Sequence, residues 1–276
     1  MSTNTMANLQ DQIRQFCSEH SLKLNTNLGQ HFLIDQAVLD AIIESGDIQP
    51  EDHVVEIGPG IGVLTRELLK RASKVTAIEL DDRMIPLLKQ YVEDPLKANR
   101  YKLTAINENA LNAAMPRDTY KVIANIPYHI TSPLLRHIYM ESTGKPTSAT
   151  LLIQKEVADR ICDKDNTDLL SLSVKLFGTP QKIINVPPEA FLPPPKVDSA
   201  VIHIESYAEP LASNDVIDKI MQLAKIAFSQ KRKMLSNSFR FPGGLELLSA
   251  VDIDKKRRPQ TVSVQEWIAL AKAAMQ

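Results

Sequence analysis

Two cysteines are all that this 276-residue chain contains. Cys17 and Cys162 stand apart in amphipathic stretches with no second Cys near either, too few for a disulfide scaffold or a zinc cluster. Both are read as reduced structural thiols, and no metal is expected. Long apolar runs are missing as well. None approaches the roughly 18 residues that a membrane helix needs, and the polar stretch Met1 to Lys23 has no signal-peptide core. A cytoplasmic protein without a membrane partner is expected. An overall charge of one sign is also lacking, since the net charge is −1. That value argues neither for nor against a polyanionic partner until it is divided along the chain. Residues 193–276 hold 12 Lys and Arg against 9 Asp and Glu, whereas residues 1–192 hold 20 against 24. The basic excess is local, in Lys231-Arg232-Lys233 with Arg240 and in Lys255-Lys256-Arg257-Arg258. Such runs are most often solvated helix faces.

What is present is an ordinary globular composition, 43% hydrophobic and 24% charged, long enough for one large domain and a smaller one. Residues 5–20 read as an amphipathic helix. Asp35 is placed to cap a helix running through Glu44, which Gly46 and Pro50 end. Strand and helix then alternate: strand 53–57, helix 61–71, strand 74–79, helix 81–92, strands 101–106 and 120–125, helix 132–141, strand 148–153. Short apolar strands of this kind belong to a parallel sheet covered by helices on both faces. Helices at 156–161 and 169–177 follow, then strands at 181–186 and 200–206. Between those strands, five prolines in residues 187–195 exclude helix and central strand and leave a stiff, extended connection. A short linker from Tyr207 to Asn214 leads into a helical C-terminal part.

Two motifs carry chemistry. Glu56-Ile57-Gly58-Pro59-Gly60-Ile61-Gly62 follows a strand and opens a helix, the setting in which glycines let a backbone approach a ligand. Its Gly-x-Gly-x-Gly spacing, preceded by an acid, differs from that of dinucleotide loops and favours a ligand without a pyrophosphate. Glu79 ends the next strand, where a carboxylate can accept both hydroxyls of a ribose. The second motif is Asn125-Ile126-Pro127-Tyr128. Proline ends the strand there and presents an amide and an aromatic ring at its carboxyl edge. An amide beside a planar ring suits a nucleobase with an exocyclic amine. The plainer reading is a strand cap and a core tyrosine.

Six ordered segments carry a resemblance. Leu28-Gly-Gln-His-Phe-Leu33, Val55-Glu-Ile-Gly-Pro-Gly60, Ala77-Ile-Glu-Leu80, Asn125-Ile-Pro-Tyr128, Phe191-Leu-Pro-Pro-Pro-Lys-Val-Asp-Ser199 and Ala227-Phe-Ser-Gln-Lys-Arg-Lys-Met-Leu235 resemble the KsgA-type ribosomal RNA adenine dimethyltransferases, over about residues 25–272. The resemblance implies an α/β fold: a Rossmann-like class I methyltransferase sheet over residues 1–206 and a small helical RNA-binding domain over 214–276. It implies transfer of methyl groups from S-adenosyl-L-methionine to N6 of two adjacent adenosines, in a hairpin near the 3′ end of small-subunit rRNA. The partner would be that rRNA within a pre-30S particle, met by a monomer.

By position, the resemblance places cofactor contacts at His31, Leu33, Gly58, Glu79, Asn109 and Asn125. Tyr128 and Phe191 would hold the target base; the plainer reading of Phe191 is an anchor for its proline loop. Asn109 departs from the family's usual Asp, although an amide oxygen accepts the same hydrogen bond. The N6 lone pair is delocalised into adenine, so a base would help little. Acceptance of the two N6–H bonds by the Asn125 side-chain oxygen and the Ile126 carbonyl would instead aim that lone pair at the methyl. Lys231, Arg232, Lys233, Lys255, Lys256, Arg257 and Arg258 would hold RNA phosphates. The nearest alternative is the Erm type, which methylates large-subunit rRNA; a non-catalytic assembly factor on the same fold is another.

Overall fold

A computed structural model describes residues 8–22, 24–25, 29–93, 101–230 and 232–276. Residues 5–7 of the expected first helix, Leu28 of the quoted motif and Lys231 lie outside the described residues. Helix α1 (Leu9–Glu19) is capped by Asn8, whose side chain accepts from Asp11 N. It buries Leu9 and Ile13 and sets Phe16 edge-on against Tyr91, ring centroids 5.0 Å apart. The two-residue strand β1 (Phe32–Leu33) precedes α2 (Gln36–Ser45), and Asp35 caps α2 as the sequence predicts, accepting from Val38 N at 3.1 Å.

The alternating part follows as β2 (His53–Ile57), α3 (Val63–Leu69), β3 (Lys74–Glu79), α4 (Met84–Glu93), β4 (Leu103–Asn107), β5 (Lys121–Asn125), α5 (Thr131–Arg136) and β6 (Ser148–Gln154). After α6 (Lys155–Cys162) and α7 (Leu169–Lys175) come β7 (Gly178–Val186), β8 (Phe191–Leu192) and β9 (Ser199–Ser206). One seven-stranded sheet has the order β4-β3-β2-β5-β6-β9-β7, with the pairs β3/β4, β2/β3, β2/β5 and β5/β6 parallel. Strands β2 and β6 are buried almost end to end, whereas the edge strand β4 is only partly covered, as its place in the order requires. The chain leaves β2 toward β3 and β4, then returns to β5 on the other side. That reversal opens a crevice at the carboxyl ends of β2 and β5, where such sheets bind ligands. The expected extended proline connection also pairs: β8 lies antiparallel to β1, with Leu33 opposite Phe191 and Phe32 opposite Leu192.

The helical remainder contains α8 (Asn214–Phe228), α9 (Leu235–Ser238), α10 (Gly244–Ala250) and α11 (Val264–Ala273). Its core sets Phe228 against the fully buried Trp267, with ring centroids 6.0 Å apart. Ser263 and Glu266 form a reciprocal capping box that starts α11. The chain divides into two compact units, residues 1–158 with 182–203, and residues 159–181 with 204–276. The expected division at 206–214 therefore misses one piece, since residues 159–181 belong to the helical unit. Thr167 explains this: its N–H donates to Gln260 O at 2.8 Å and its hydroxyl to Val262 O at 3.1 Å. Among the described residues no helix is long and apolar enough to cross a membrane.

Candidate active site

The glycine loop leaves β2 and is shaped by positive φ at Gly58 (68°) and Gly60 (57°), a region that L side chains seldom enter. Space closes the case at Gly60, where a Cβ would stand 2.7 Å from Phe32 Cε1. Gly58 N donates to Ile78 O at 2.9 Å and ties the loop to β3. Glu79 ends β3 and is 7% exposed. One of its carboxylate oxygens accepts from Gly60 N at 3.0 Å and the other from Asp81 N at 2.8 Å. Burial pushes the Glu79 carboxyl above the usual range, and those two N–H groups work against the shift. The carboxylate keeps lone-pair capacity for a further donor.

Around this loop lies a cleft of about 980 Å³, counted to its open mouth and lined by Gly29–Leu33, Glu56–Gly60, Ile78–Asp81, Glu108–Ala110 and Asn125 among others. His31, Leu33, Gly58, Glu79, Asn109 and Asn125, six residues from five separate stretches, all line it. Two further lining residues have no role predicted from the sequence. Leu80 is 57% exposed at the mouth, an apolar surface beside the Glu79 carboxylate. Asp81 accepts from Gln30 Nε2 at 2.8 Å and from Arg83, whose guanidinium, followed by Gln30, holds the Asp81 carboxyl down at about 2. Leu80 was legible as the residue after Glu79, whereas nothing local announces the Gln30–Asp81 bond.

Glu56 is 1% exposed, and the Thr65 hydroxyl donates to its carboxyl at 2.6 Å. Burial pushes its carboxyl up to about 8, only partly offset by Thr65, so Glu56 stays protonated near neutrality. The narrow glycine cradle, a buried carboxylate with lone pairs to spare and an apolar lip together fit an adenosine-bearing ligand.

At the end of β5, Asn125 Nδ2 donates to the carbonyl oxygen of His31 at 3.2 Å. A carbonyl only accepts, so this contact fixes which end of the amide is NH2 and leaves Oδ1 as acceptor. Ile126 is buried, and its N–H donates to Leu152 O at 3.1 Å. The half-buried Tyr128 turns its hydroxyl to Ser199 Oγ at 2.6 Å, and its ring lies nearly parallel to that of His31, 14° between planes with centroids 6.3 Å apart. His31 Nδ1 lies 2.7 Å from the Pro193 carbonyl oxygen and is therefore the protonated ring nitrogen. Gly29, at φ 73°, lets this segment press onto the Pro-Tyr turn: a Cβ there would stand 2.9 Å from Pro127 Cβ.

Two expectations are corrected. Phe191 is 2% exposed and packs in the core beside its strand partner Leu33, so in this structure it offers no face to a base and anchors its proline loop instead. Arg257 is half-buried with its guanidinium committed. Nη1 and Nη2 donate to the two Glu266 carboxylate oxygens at 2.5 and 3.1 Å, Nη2 also to Thr261 O, and Nε to Thr261 Oγ1 at 3.4 Å. It serves the start of α11 rather than a phosphate. Arg232, Lys233, Lys255, Lys256 and Arg258 are exposed. Asn109 is exposed too, and its Oδ1 accepts from Leu111 N at 3.0 Å. Among the described residues no group of three or more His, Cys, Asp or Glu could hold a metal ion.

Comparison with known proteins agrees with this geometry. The chain is 40% identical over 270 residues to the ribosomal RNA small subunit methyltransferase A of Dehalococcoides mccartyi strain CBDB1, covering 94% of this chain and 91% of that one. Against the protein of the same name from Clostridium botulinum strain Okra, identity is 36% over 262 residues, with 92% and 95% covered. Among solved structures, a dimethyladenosine transferase from Plasmodium falciparum superposes with a TM-score of 0.76 at 30% identity, over 87% of this chain and 96% of that one. The 23S rRNA methyltransferase ErmE gives 0.70 at 26% identity, over 89% and 100%. The model for the family described as ribosomal RNA adenine dimethylase matches residues 21–276, and the chain belongs to that family.

Proposed function

We propose that this protein transfers methyl groups from S-adenosyl-L-methionine to N6 of two adjacent adenosines in the 3′-terminal hairpin of small-subunit rRNA, acting as a monomer on a pre-30S particle. The observation that carries the proposal is the amide of Asn125, held by the His31 carbonyl at the mouth of the glycine-loop cleft with its oxygen free to accept. The small-subunit relatives, matched over nearly their whole length, support the choice of substrate.

Bound S-adenosyl-L-methionine supplies a methyl group on a sulfonium, and the protein's part is to bind, orient and polarise. Glu79 would hold the ribose hydroxyls with the lone pairs that Gly60 and Asp81 leave over, and Leu80, Asn109 and Ala110, which line the same cleft, would hold the adenine. Asn125 Oδ1 and the Ile126 carbonyl each accept one N6–H bond of the target, which turns the nitrogen lone pair out of conjugation and toward the methyl. Such positioning is worth several kcal/mol of barrier. The same two dipoles stabilise positive charge as it arrives on nitrogen, whose proton then leaves to water. Tyr128 stacks on the base once it leaves the helical stack, contributing on the order of 1–3 kcal/mol. Arg232, Lys233, Lys255, Lys256 and Arg258 hold phosphates and set the register of the RNA.

Small subunits from a strain lacking this methylation, offered beside naked 23S RNA, test the proposal. Methyl incorporation at the paired 3′-terminal adenosines is expected, read by mass spectrometry of the rRNA. Incorporation only into 23S RNA would replace this reading with the large-subunit one.

A further inference from the structure

The segment Phe191–Ser199 was expected to act through Phe191, which the structure puts in the core. What the segment does bring to the site is two hydrogen bonds, one to each of two facing rings. The Pro193 carbonyl takes the His31 Nδ1–H at 2.7 Å, and Ser199 Oγ meets the Tyr128 hydroxyl at 2.6 Å. Between these points Asp198 O accepts from Lys155 N at 3.0 Å, so the segment is pinned at its start, before its end and at its end. Ser199 itself is 0% exposed and opens β9, a strand of the main sheet. Tyr128, by contrast, is half-buried and sits on a single 3-10 turn, Tyr128–Ile130, which leaves no buried face of that turn to lock its ring.

We propose that Ser199 is a positioning residue for methyl transfer: through its hydrogen bond to the phenol it holds the Tyr128 ring at the inclination the target adenine must stack on. The physical reason is pre-organisation. A ring anchored at both ends, by its Cα on the turn and by its hydroxyl on the sheet, loses no further rotamer freedom when a base arrives. The bond is also costly to break, because Ser199 is 0% exposed and a buried hydroxyl that loses its partner keeps its desolvation cost. The same segment holds His31, the ring that faces Tyr128 and whose carbonyl holds the Asn125 amide. Residues 193–199 thus brace base-stacking ring and amine acceptor together.

The inference rests on the reading that Tyr128 stacks on the target base, and the experiment separates the two. Ser199→Ala, Tyr128→Phe, the double variant and Tyr128→Ala are assayed on unmethylated small subunits, with S-adenosyl-L-methionine affinity measured alongside by calorimetry. Ser199→Ala is expected to lower kcat/KM for the subunit about three- to tenfold. The loss should lie in the RNA terms, with cofactor Kd within about twofold of the parent by the same reasoning. Tyr128→Phe should lose as much, and the double variant no more than either single, since all three break one bond. If Ser199→Ala does not fold, Tyr128→Phe removes the same bond from the half-exposed side and decides alone. Losses that add in the double variant, or full activity of both singles while Tyr128→Ala is impaired, overturn the brace. Full activity of Tyr128→Ala overturns the base-stacking reading and the brace with it.

Discussion

Asn125 Nδ2 and the backbone carbonyl of His31 are 3.2 Å apart, and that single contact decides which end of the amide donates and which is left to accept. Asn125→Ala removes both the donor and the acceptor. Turnover on small subunits should fall below detection while cofactor affinity stays within about threefold, a change under 1 kcal/mol, because the lost contact belongs to the N6 amine. Asn125→Asp is the sharper variant. It keeps an acceptor for the amine but sets a carboxylate oxygen against the His31 carbonyl, so it too should fail. If the Asn125→Asp enzyme keeps more than half of the parent kcat, the His31 contact does not orient the amide.

The basic residues of the helical unit divide into two kinds with different signatures. Arg232, Lys233, Lys255 and Lys256 are exposed, and each replacement by Ala should weaken small-subunit binding and lower the log–log salt slope by about 1. Arg257 is spent on Glu266 and Thr261. Arg257→Ala should leave the salt slope alone and instead cost roughly 1 kcal/mol of stability, near the top of the range for partly exposed ion pairs because its fork is bidentate. Binding titrations at several salt concentrations, with thermal melts of the same proteins, check both halves. A fallen slope for Arg257→Ala would restore it to the phosphate contacts.

Glu56 gives a pH dependence with a definite sign. Folded, its carboxyl keeps the proton up to about pH 8, whereas in the unfolded chain it is released near the ordinary 4.5. The folded state therefore binds more protons between those values. The contribution is whole below pH 4.5, declines as pH rises, and is gone above 8. Glu56→Gln removes that decline. Relative to the parent, the variant should gain stability between about pH 5 and pH 8, by an amount on the order of a few kcal/mol. Melting both proteins across this range checks it, and a stability difference that does not change with pH would show that Glu56 titrates normally.

Local signals carried much of this far. The strands at 53–57 and 74–79 were legible to the residue, because apolar runs bounded by polar turns leave a buried strand little latitude. So was the Asp35 cap, a short-range bond between a side chain and the third amide beyond it. The glycine loop, Glu79 and Asn125 fell in one cleft because strand ends of a parallel sheet share an edge. What failed depended on partners far along the chain. Phe191 looks free to stack until β8 is seen pairing with β1, and Arg257 looks like its cationic neighbours until Glu266 of α11 is seen closing on it. Residues 159–181 look like the tail of the sheet domain, and only the backbone of residues 260–262 shows where Thr167 is held. Ser199 is the same case: it closes the proline-rich segment, but its partner Tyr128 lies 71 residues away, on the turn that follows β5.

Asn109 stands where the resemblance implies an Asp, and the structure sharpens what that difference would do. Its Oδ1 already accepts from Leu111 N at 3.0 Å, so the side chain is turned by a local bond and its other terminal atom is an NH2. An NH2 cannot accept from the amino group of the cofactor's adenine, and the one oxygen must serve both donors. A carboxylate at this position would give Leu111 one oxygen and the adenine the other, with a charge-assisted bond in place of a neutral one. Asn109→Asp is therefore expected to tighten S-adenosyl-L-methionine binding about fivefold, or roughly 1 kcal/mol. Two acids stand near the position. Glu79 is buried with two backbone N–H groups on its oxygens, and Glu108 is exposed, so solvent screens its repulsion. The gain should nearly vanish for an analogue whose purine lacks the amino group, because no donor then remains for the second oxygen. Calorimetric titration of parent and variant with both ligands settles the assignment: an equal change for the two ligands would mean that residue 109 does not read the adenine amine.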